Sequence, residues 1–108
     1  MYVYITTNPQ KKVLYTGVTN NLSQRLIEHY MDRGTKRSFA GKYYCYLLLH
    51  FEIFENPNDA IAREKEIKDW RRSKKEALIA QTNKDWITLN NDLLDWPPKL
   101  RDLFHRGR

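Results

Sequence analysis

The chain has 108 residues, of which 30% are charged and 13% aromatic, and its formal net charge is +6. This length predicts one domain with a modest core, and the excess of positive charge fits a polyanionic partner without requiring one. The single cysteine, Cys45, excludes an internal disulfide, and the sequence has no Cys/His cluster of the kind that holds zinc. Because no apolar run reaches ~18 residues and no basic-then-apolar leader opens the chain, we expect a cytoplasmic protein without a membrane span.

The first 19 residues predict a β-hairpin. Side chains alternate in character over residues 2–6, and a second β-branched and aromatic run covers residues 13–19. Because alternate side chains share a face, Tyr4, Tyr15 and Gly17 are predicted to lie on the same side of the hairpin. Gly17 leaves room beside the two tyrosines, or lets another backbone approach closely. Tyrosine also suits strands for packing alone, and the residues by themselves favour that interpretation.

A helix is predicted after the hairpin, with Asn20 or Asn21 as its N-cap. Its apolar stripe consists of Leu22, Leu26 and Tyr30. Arg25 and His29 lie one turn apart and point the same way, beside this stripe. A guanidinium matches phosphate oxygens with two parallel hydrogen bonds, but it also occurs as a solvated group whose stem covers apolar surface. The residues leave both interpretations open.

The middle of the chain predicts a basic loop over residues 32–42 and a long third strand over residues 43–54. The near-continuous hydrophobicity of this strand predicts a central place in the sheet or a covering helix, with Leu48 and Leu49 on opposite faces. Phe39 is expected to anchor the loop to the core, with stacking on a base as the alternative. The loop offers three candidates for contacts with backbone phosphates, although a plain connection is the commoner case: Lys36, Arg37 and Lys42.

A second long helix is predicted over about residues 60–72, with Asn58 or Asp59 as its cap. Its inward face is marked by Ala60, Ile61 and Ile67. Glu64 falls on that face, where a carboxylate is costly unless it is paired or bound to a cation. Glu64 is therefore a candidate metal ligand. The alternative is an ion pair with Lys68 one turn on, which the residues alone favour.

A further short helix is predicted over residues 74–81, capped by Ser73. The junction before it is the most basic part of the chain and predicts either a ridge that faces nucleic acid or an ordinary solvated connection. The cations of this basic ridge are Arg71, Arg72, Lys74 and Lys75. Aromatic and leucine residues between positions 86 and 96 are expected to cover the sheet, and residues 99–108 to add one or two helical turns.

Taken together, these motifs resemble the GIY-YIG nuclease superfamily, in particular its small stand-alone bacterial members and the N-terminal nuclease domain of the excision-repair subunit UvrC. The first motif corresponds to Tyr2-Val3-Tyr4-Ile5 and the second to Tyr15-Thr16-Gly17. Arg25 follows Tyr15 by ten residues, as the helix arginine of the family does, and His29 comes one turn later. Residues 62–68 resemble the family's glutamate helix, which selects Glu64.

The chain departs from the family pattern at three places. Tyr2 stands where the first motif has glycine, Thr16 where the second has isoleucine, and Val18 where some members carry a lysine. Many members also have a late asparagine, for which Asn83 is a candidate.

The resemblance covers about residues 2–86 and implies an α/β (α+β) fold, a small three-stranded antiparallel sheet flanked by helices. It implies a nuclease-like domain over residues 1–89, with residues 90–108 as a C-terminal cover and tail of the same domain. The implied activity is hydrolysis of a phosphodiester bond in DNA with a single divalent ion, Mg²⁺ or Mn²⁺, in repair or recombination. The alternative on the same fold is a nucleic-acid-binding module with little or no turnover.

The resemblance also implies a role for each site residue, with all of them expected to converge on one pocket. Tyr4 is expected to be the general base or its relay, and Tyr15 to position water or substitute for that base. Arg25 is expected to clamp the scissile phosphate, and His29 to form a hydrogen bond to a phosphate or tyrosine oxygen. Glu64 is expected to bind the metal. Gly17 and Asn83 are further candidates.

Overall fold

A computed structural model describes residues 1–99 and contains a three-stranded antiparallel sheet in the order β2-β1-β3. The strands are β1 (Tyr2–Thr7), β2 (Leu14–Thr19) and β3 (Leu47–Ile53). The predicted hairpin and fold class are confirmed. β3 is shorter than predicted and lies at one edge of the sheet. Of its two predicted placements the central one is therefore wrong, and the one under a helix is right, because α4 (Arg72–Thr82) contacts it.

Within residues 1–99 the structure has four other helices besides α4. They are α1 (Leu22–Met31), α2 (Phe39–Lys42), α3 (Pro57–Lys68) and α5 (Asn90–Leu93). The α2 turn lies inside the predicted loop, where the Ser38 side chain accepts a hydrogen bond from the Gly41 amide. α3 begins earlier than predicted because Asn56 caps it and the fixed φ of Pro57 suits its first turn.

Two apolar clusters lie on opposite faces of the sheet. The first joins Val3 and Ile5 of β1 to Ala60 and Ile67 of α3 and to the buried face of α4. The second joins Tyr4 of β1 to the leucines of α1, and the C-terminal segment with Trp96 packs against it, as predicted. The helices α1 and α3 therefore sandwich the sheet. Ile61, predicted to face inward on α3, is instead 40% exposed.

A β-bulge in β3 changes which of its side chains share a face. Ile5 pairs with His50, but the next residue of β1 pairs with Leu48, so Leu49 is an extra residue in the ladder. As a result Leu48 and Phe51 both join the cluster around Tyr4, while Leu49 joins the other cluster. The strict alternation predicted over this strand is wrong across the bulge.

A buried side-chain amide and a backbone hydrogen bond from Leu89 to the Leu48 carbonyl connect the C-terminal segment to the start of β3. The Asn90 side chain accepts a hydrogen bond from the Leu48 amide at 2.7 Å and donates one to the Tyr46 carbonyl at 2.9 Å. The helical turns predicted within residues 99–108 lie almost entirely outside the described residues. Within residues 1–99, none of the helices has the length and apolar character that crossing a bilayer requires.

Candidate active site

Gly17 makes room for the ring of Tyr4. The two residues are paired across β1 and β2, and a Cβ added to Gly17 would lie 2.4 Å from the Tyr4 hydroxyl oxygen. The Tyr4 side chain fills this space and is only 1% exposed. The space predicted beside the tyrosines is therefore real, and a tyrosine occupies it.

Tyr4, Tyr15 and His29 form a compact group between the hairpin and α1. The Tyr4 hydroxyl lies 2.7 Å from Nε2 of His29, a buried residue of α1. The Tyr15 ring centroid is 6.2 Å from that of Tyr4 and 5.4 Å from that of His29. Tyr15 is half-buried, so it stands between the buried pair and the surface.

Burial sets the protonation of this group. It lowers the pKa of His29 to about 4, with the nearby Arg25 charge acting in the same direction. Burial also raises the pKa of Tyr4 above its ordinary value, and Tyr15 adds to the rise through its charge and a hydrogen bond, while Arg25 opposes it. At neutral pH a neutral phenol therefore faces a neutral imidazole, and Nε2 can accept the phenol's proton when Nδ1 carries the ring hydrogen.

Arg25 lies at the rim of this group, one turn before His29 on α1. Its Nε atom is 3.3 Å from a carboxylate oxygen of Glu28, and its side chain is 43% exposed. It is close enough to influence the pKa of both Tyr4 and His29. Its guanidinium is thus accessible to an anion that approaches the tyrosines from solvent.

A cavity of about 310 Å³ adjoins Tyr15 at the outer edge of β2. Its lining is Leu14, Tyr15, Thr16, Phe39, Lys68 and Lys75. Tyr15 and Thr16 are neighbours in the strand and face opposite sides of the sheet. The cavity therefore extends around the strand edge and connects the α1 side of the sheet with the α3 side. We call it the edge cavity.

Glu64 lies in the other helical layer. It belongs to α3, which packs on the sheet face opposite Tyr4, and its side chain is 14% exposed. Its carboxylate pairs with Lys68 at 3.2 Å, and Lys68 in turn lines the edge cavity with Tyr15. Tyr4, Tyr15, Arg25 and His29 thus lie together. Glu64 lies apart from them, on the other side of the sheet, and the connection between the two is Lys68, which pairs with Glu64 and lines the edge cavity with Tyr15.

The donor set near Glu64 fits a magnesium ion that the substrate helps to bind. Among residues 1–99 no three His, Cys, Asp or Glu side chains are grouped so as to hold a metal. Mg²⁺, however, keeps several waters and is commonly held by one or two carboxylates together with substrate phosphates. A single carboxylate on the α3 layer meets that requirement once its ion pair with Lys68 opens.

Asn83 has a structural explanation. Its side-chain amide donates to the carbonyls of Leu49 at 3.0 Å and Ile87 at 2.8 Å, and its oxygen accepts from the Ile87 amide. These bonds connect the end of α4 to β3. The residue is buried and engaged in bonds on the side of β3 remote from β2.

The candidate nucleic-acid-binding cations differ in their surroundings. Arg37 pairs with Asp32 at 3.6 Å. Arg72 pairs with Glu76 at 3.0 Å, and Lys74 lies 4.4 Å above the Trp70 ring. The Lys42 ammonium lies 5.3 Å from the Tyr43 ring centre. All of these candidate cations, including Lys36 and Arg71, are exposed except Lys75. Lys75 is half-buried and lines the edge cavity.

The sequence did not indicate that Phe39 and Lys68 lie at the edge cavity. Phe39 was expected to anchor its loop in the core, but it is 51% exposed and stacks on Tyr15. Lys68 was expected only as a partner of Glu64. Its place one turn after Glu64 is a usable signal, whereas nothing local indicates where the short α2 helix docks.

The tyrosine and histidine in hydrogen-bond contact lie beside a partly exposed arginine on a three-stranded sheet. The chain matches the GIY-YIG catalytic domain over residues 1–77 and belongs to the GIY-YIG family. Family membership gives a nuclease-like role with a nucleic acid as substrate.

Within this family the chain is similar to UPF0213 proteins. It is 38% identical to one from Natronomonas pharaonis, over 73% of this chain and 89% of the relative. It is 39% identical to one from Clostridium perfringens, over 73% of this chain and 82% of the relative. The solution structure of a UPF0213 protein from Bacillus halodurans is 27% identical and superimposes with a TM-score of 0.50, covering 85% of this chain and 92% of that one.

Proposed function

We propose that the protein is an endonuclease that hydrolyses phosphodiester bonds in DNA with the help of a divalent cation. One observation carries this proposal beyond family membership. A series of neighbouring polar groups leads inward from the edge cavity: Tyr15 lines the cavity, its ring centroid is 6.2 Å from that of Tyr4, and the Tyr4 hydroxyl is 2.7 Å from Nε2 of His29. Such a series is suited to removing a proton from an attacking water.

The proton path follows from burial. Tyr4 is too buried to meet bulk water, so Tyr15, which lines the edge cavity, is the group that contacts the attacking water. As the water attacks phosphorus, Tyr15 accepts its proton and passes its own to Tyr4, and Tyr4 passes its own to His29. The two phenols end neutral, the imidazole ends protonated, and the hydroxide ends bonded to phosphorus. Burial raises the pKa of Tyr4, and the neighbouring Arg25 charge opposes this rise and so favours the phenolate character that the transfer needs.

The other charges act on the phosphate. Arg25 binds the non-bridging oxygens of the scissile group, for which a guanidinium is geometrically suited. Glu64 would hold Mg²⁺ or Mn²⁺ after releasing Lys68. The ion would stabilise the negative charge that develops on the leaving oxygen.

The test is magnesium-dependent cleavage of branched and linear DNA by the purified protein and its variants. Tyr4→Phe interrupts the proton path, so we expect cleavage to fall by about 10²–10⁴-fold, the usual contribution of a positioned acid–base group. Arg25→Ala and Glu64→Gln should each reduce cleavage strongly, and only Glu64→Gln should weaken the dependence on magnesium concentration.

Tyr2→Phe is the matched control, because it removes a hydroxyl from the same strand and Tyr2 packs against Phe51. It should cleave like the unaltered protein. Wild-type rates for Tyr4→Phe would rule out the proton path, and wild-type rates for all three site variants would rule out this active site.

A second candidate function is binding of nucleic acid without turnover. The observation that favours it is the position of Glu64, which lies across the sheet from Tyr4 and is already paired with Lys68. This candidate predicts binding that needs no metal, weakens with salt and leaves the nucleic acid intact. Magnesium-dependent cleavage lost in Glu64→Gln would exclude it.

A further inference from the structure

We propose that the edge cavity takes one unpaired nucleotide of the substrate, with its base stacked on Phe39 and its phosphate held by Lys68 and Lys75. The inference rests on the proposed function, which places the scissile phosphate beside Tyr15. It adds the class of substrate: a nucleic acid with a single-stranded nucleotide at the cleavage position, rather than continuous duplex.

The aromatic wall of the cavity extends outward from the active site. The Phe39 ring stacks on Tyr15 with a centroid distance of 6.1 Å and an angle of 23° between the planes. Tyr43 supports Phe39 from its own helix turn, with centroids 4.7 Å apart. Half of Phe39 nevertheless remains exposed, beside a cavity. An exposed, supported ring is the kind of platform on which bases of any sequence stack.

The cavity also carries positive charge. Lys68 comes from α3 and Lys75 from α4, so two separate helices bring ammonium groups to the same space. The Lys68 ammonium is 3.2 Å from the Glu64 carboxylate, and a phosphate that binds Lys68 competes with that ion pair. At about 310 Å³ the cavity is at the lower end of the range for small-molecule sites, about 300–1,000 Å³. A ring and two cations in this volume fit one nucleotide.

The nucleotide has to be unpaired. Inside a continuous duplex each base is stacked on its neighbours and paired across the helix, so it offers no free face to a protein ring unless it leaves the stack. Single strands, ends and branch points offer such a face without that cost. The edge cavity therefore favours cleavage where the substrate is already single-stranded.

The experiment measures binding without metal, using the full chain, a fluorescein-labelled single-stranded oligonucleotide without self-complementarity, and the blunt-ended duplex that this oligonucleotide forms with its complementary strand. Phe39→Leu keeps an apolar side chain but removes the ring, and we expect it to weaken single-strand binding at least about fivefold with little effect on duplex binding. Phe39→Trp should preserve single-strand binding. Lys75→Gln should weaken it and lower the slope of log affinity against log salt by about 0.7, the value for one phosphate contact.

The control variants lie elsewhere. Ile53→Ala alters another exposed apolar side chain, on the opposite edge strand, and Lys84→Gln removes a charge beyond α4. Both should bind like the unaltered protein. Equal single-strand binding by Phe39→Leu and the unaltered protein overturns the inference, and so does equal loss of single-strand and duplex binding.

Cleavage assays on the same two substrates separate this inference from the proposed function. Single-strand binding that depends on Phe39, without cleavage of either substrate in magnesium, supports the edge cavity and overturns only the nuclease function. Cleavage of continuous duplex that is unaffected by Phe39→Leu supports the nuclease function and overturns only the inference.

Discussion

Burial has a clear consequence for the protonation of His29. The residue is buried, its Nε2 is bonded to a phenol, and Arg25 is close by. The burial and the Arg25 charge lower its pKa and so keep the imidazole neutral at neutral pH. In the proposed reaction this neutral ring is the final proton acceptor, so the same burial that stabilises the neutral form also holds the acceptor ready.

The lowered pKa of His29 predicts a specific loss of stability in acid. Its pKa is about 4 in the folded protein and about 6.5 in an unfolded chain. Between these values the unfolded state binds a proton that the folded state does not. The free energy of unfolding should therefore fall as the pH drops from about 6.5 towards 4, by up to about 1.4 kcal/mol per pH unit, while this residue adds no slope above that range.

Urea unfolding across this pH range, for the unaltered protein and His29→Gln, measures the effect. The variant should lose most of the slope between pH 6.5 and 4.5. It should keep the acid loss that comes from Glu52, whose pKa is lowered by hydrogen bonds from Arg63 and His50 even though burial opposes this. Identical slopes for the two proteins would contradict the prediction.

At the scale of the elements, the sequence predicted the features that depend on residues close together in the chain. A period of two placed Tyr4, Tyr15 and Gly17 on one face, and helical spacing brought Arg25 towards the hairpin beside His29. These relations depend on neighbours in the sequence or on one tight strand pair. They define most of the candidate site before any tertiary contact is known.

The remainder depends on contacts that are distant in sequence. The bulge at Leu49 arises from pairing with β1 and left no mark in the apolar run of β3. The outward position of Phe39 depends on how α2 docks against β2. The layer that holds Glu64 depends on which face of the sheet α3 covers, and an amphipathic pattern cannot specify this.

Asn90 provides a prediction at the scale of elements, because it joins α5 to the start of β3. Asn90→Ala leaves the Leu48 amide and the Tyr46 carbonyl without the partners that they have now. Each such loss costs about 1–3 kcal/mol when the group is buried, so we expect the free energy of unfolding to fall by about 2–4 kcal/mol. Urea unfolding at neutral pH measures it.

Asn91→Ala is the control for this experiment, since the neighbouring side chain is exposed. It should change the free energy of unfolding by less than about 0.5 kcal/mol. If the two alanine variants are equally stable, the C-terminal segment does not depend on the Asn90 bonds.

At the scale of the whole molecule, the cations that give the net charge of +6 differ in their surroundings. Several cations are paired within the protein or lie over aromatic rings, such as Arg37, Arg72 and Lys74. Others are exposed near the start of α4, where the basic ridge meets the edge cavity at Lys75. Electrostatic attraction of a nucleic acid should therefore be strongest on this side.

The salt dependence of duplex binding tests that expectation. Each phosphate contact contributes about 0.9 to the slope of log affinity against log salt, so Arg71→Gln should lower the slope by about that amount. Lys84→Gln removes the same charge outside the basic ridge and should leave the slope unchanged. Fluorescence anisotropy titrations from low to moderate salt measure both, and equal slopes for the two variants would show that the ridge does not contact the backbone.

The close fit of Tyr4 against Gly17 restricts which sequences this active site tolerates. Any side chain added at position 17 would overlap the phenol of Tyr4, which is 1% exposed and packed within the apolar cluster on this face of the sheet. Positions 4 and 17 therefore cannot both carry large side chains. A larger residue at position 17 forces the loss or displacement of the Tyr4 ring. We therefore expect a homologue without this glycine to lack the proposed proton path, even if it still encodes the tyrosine.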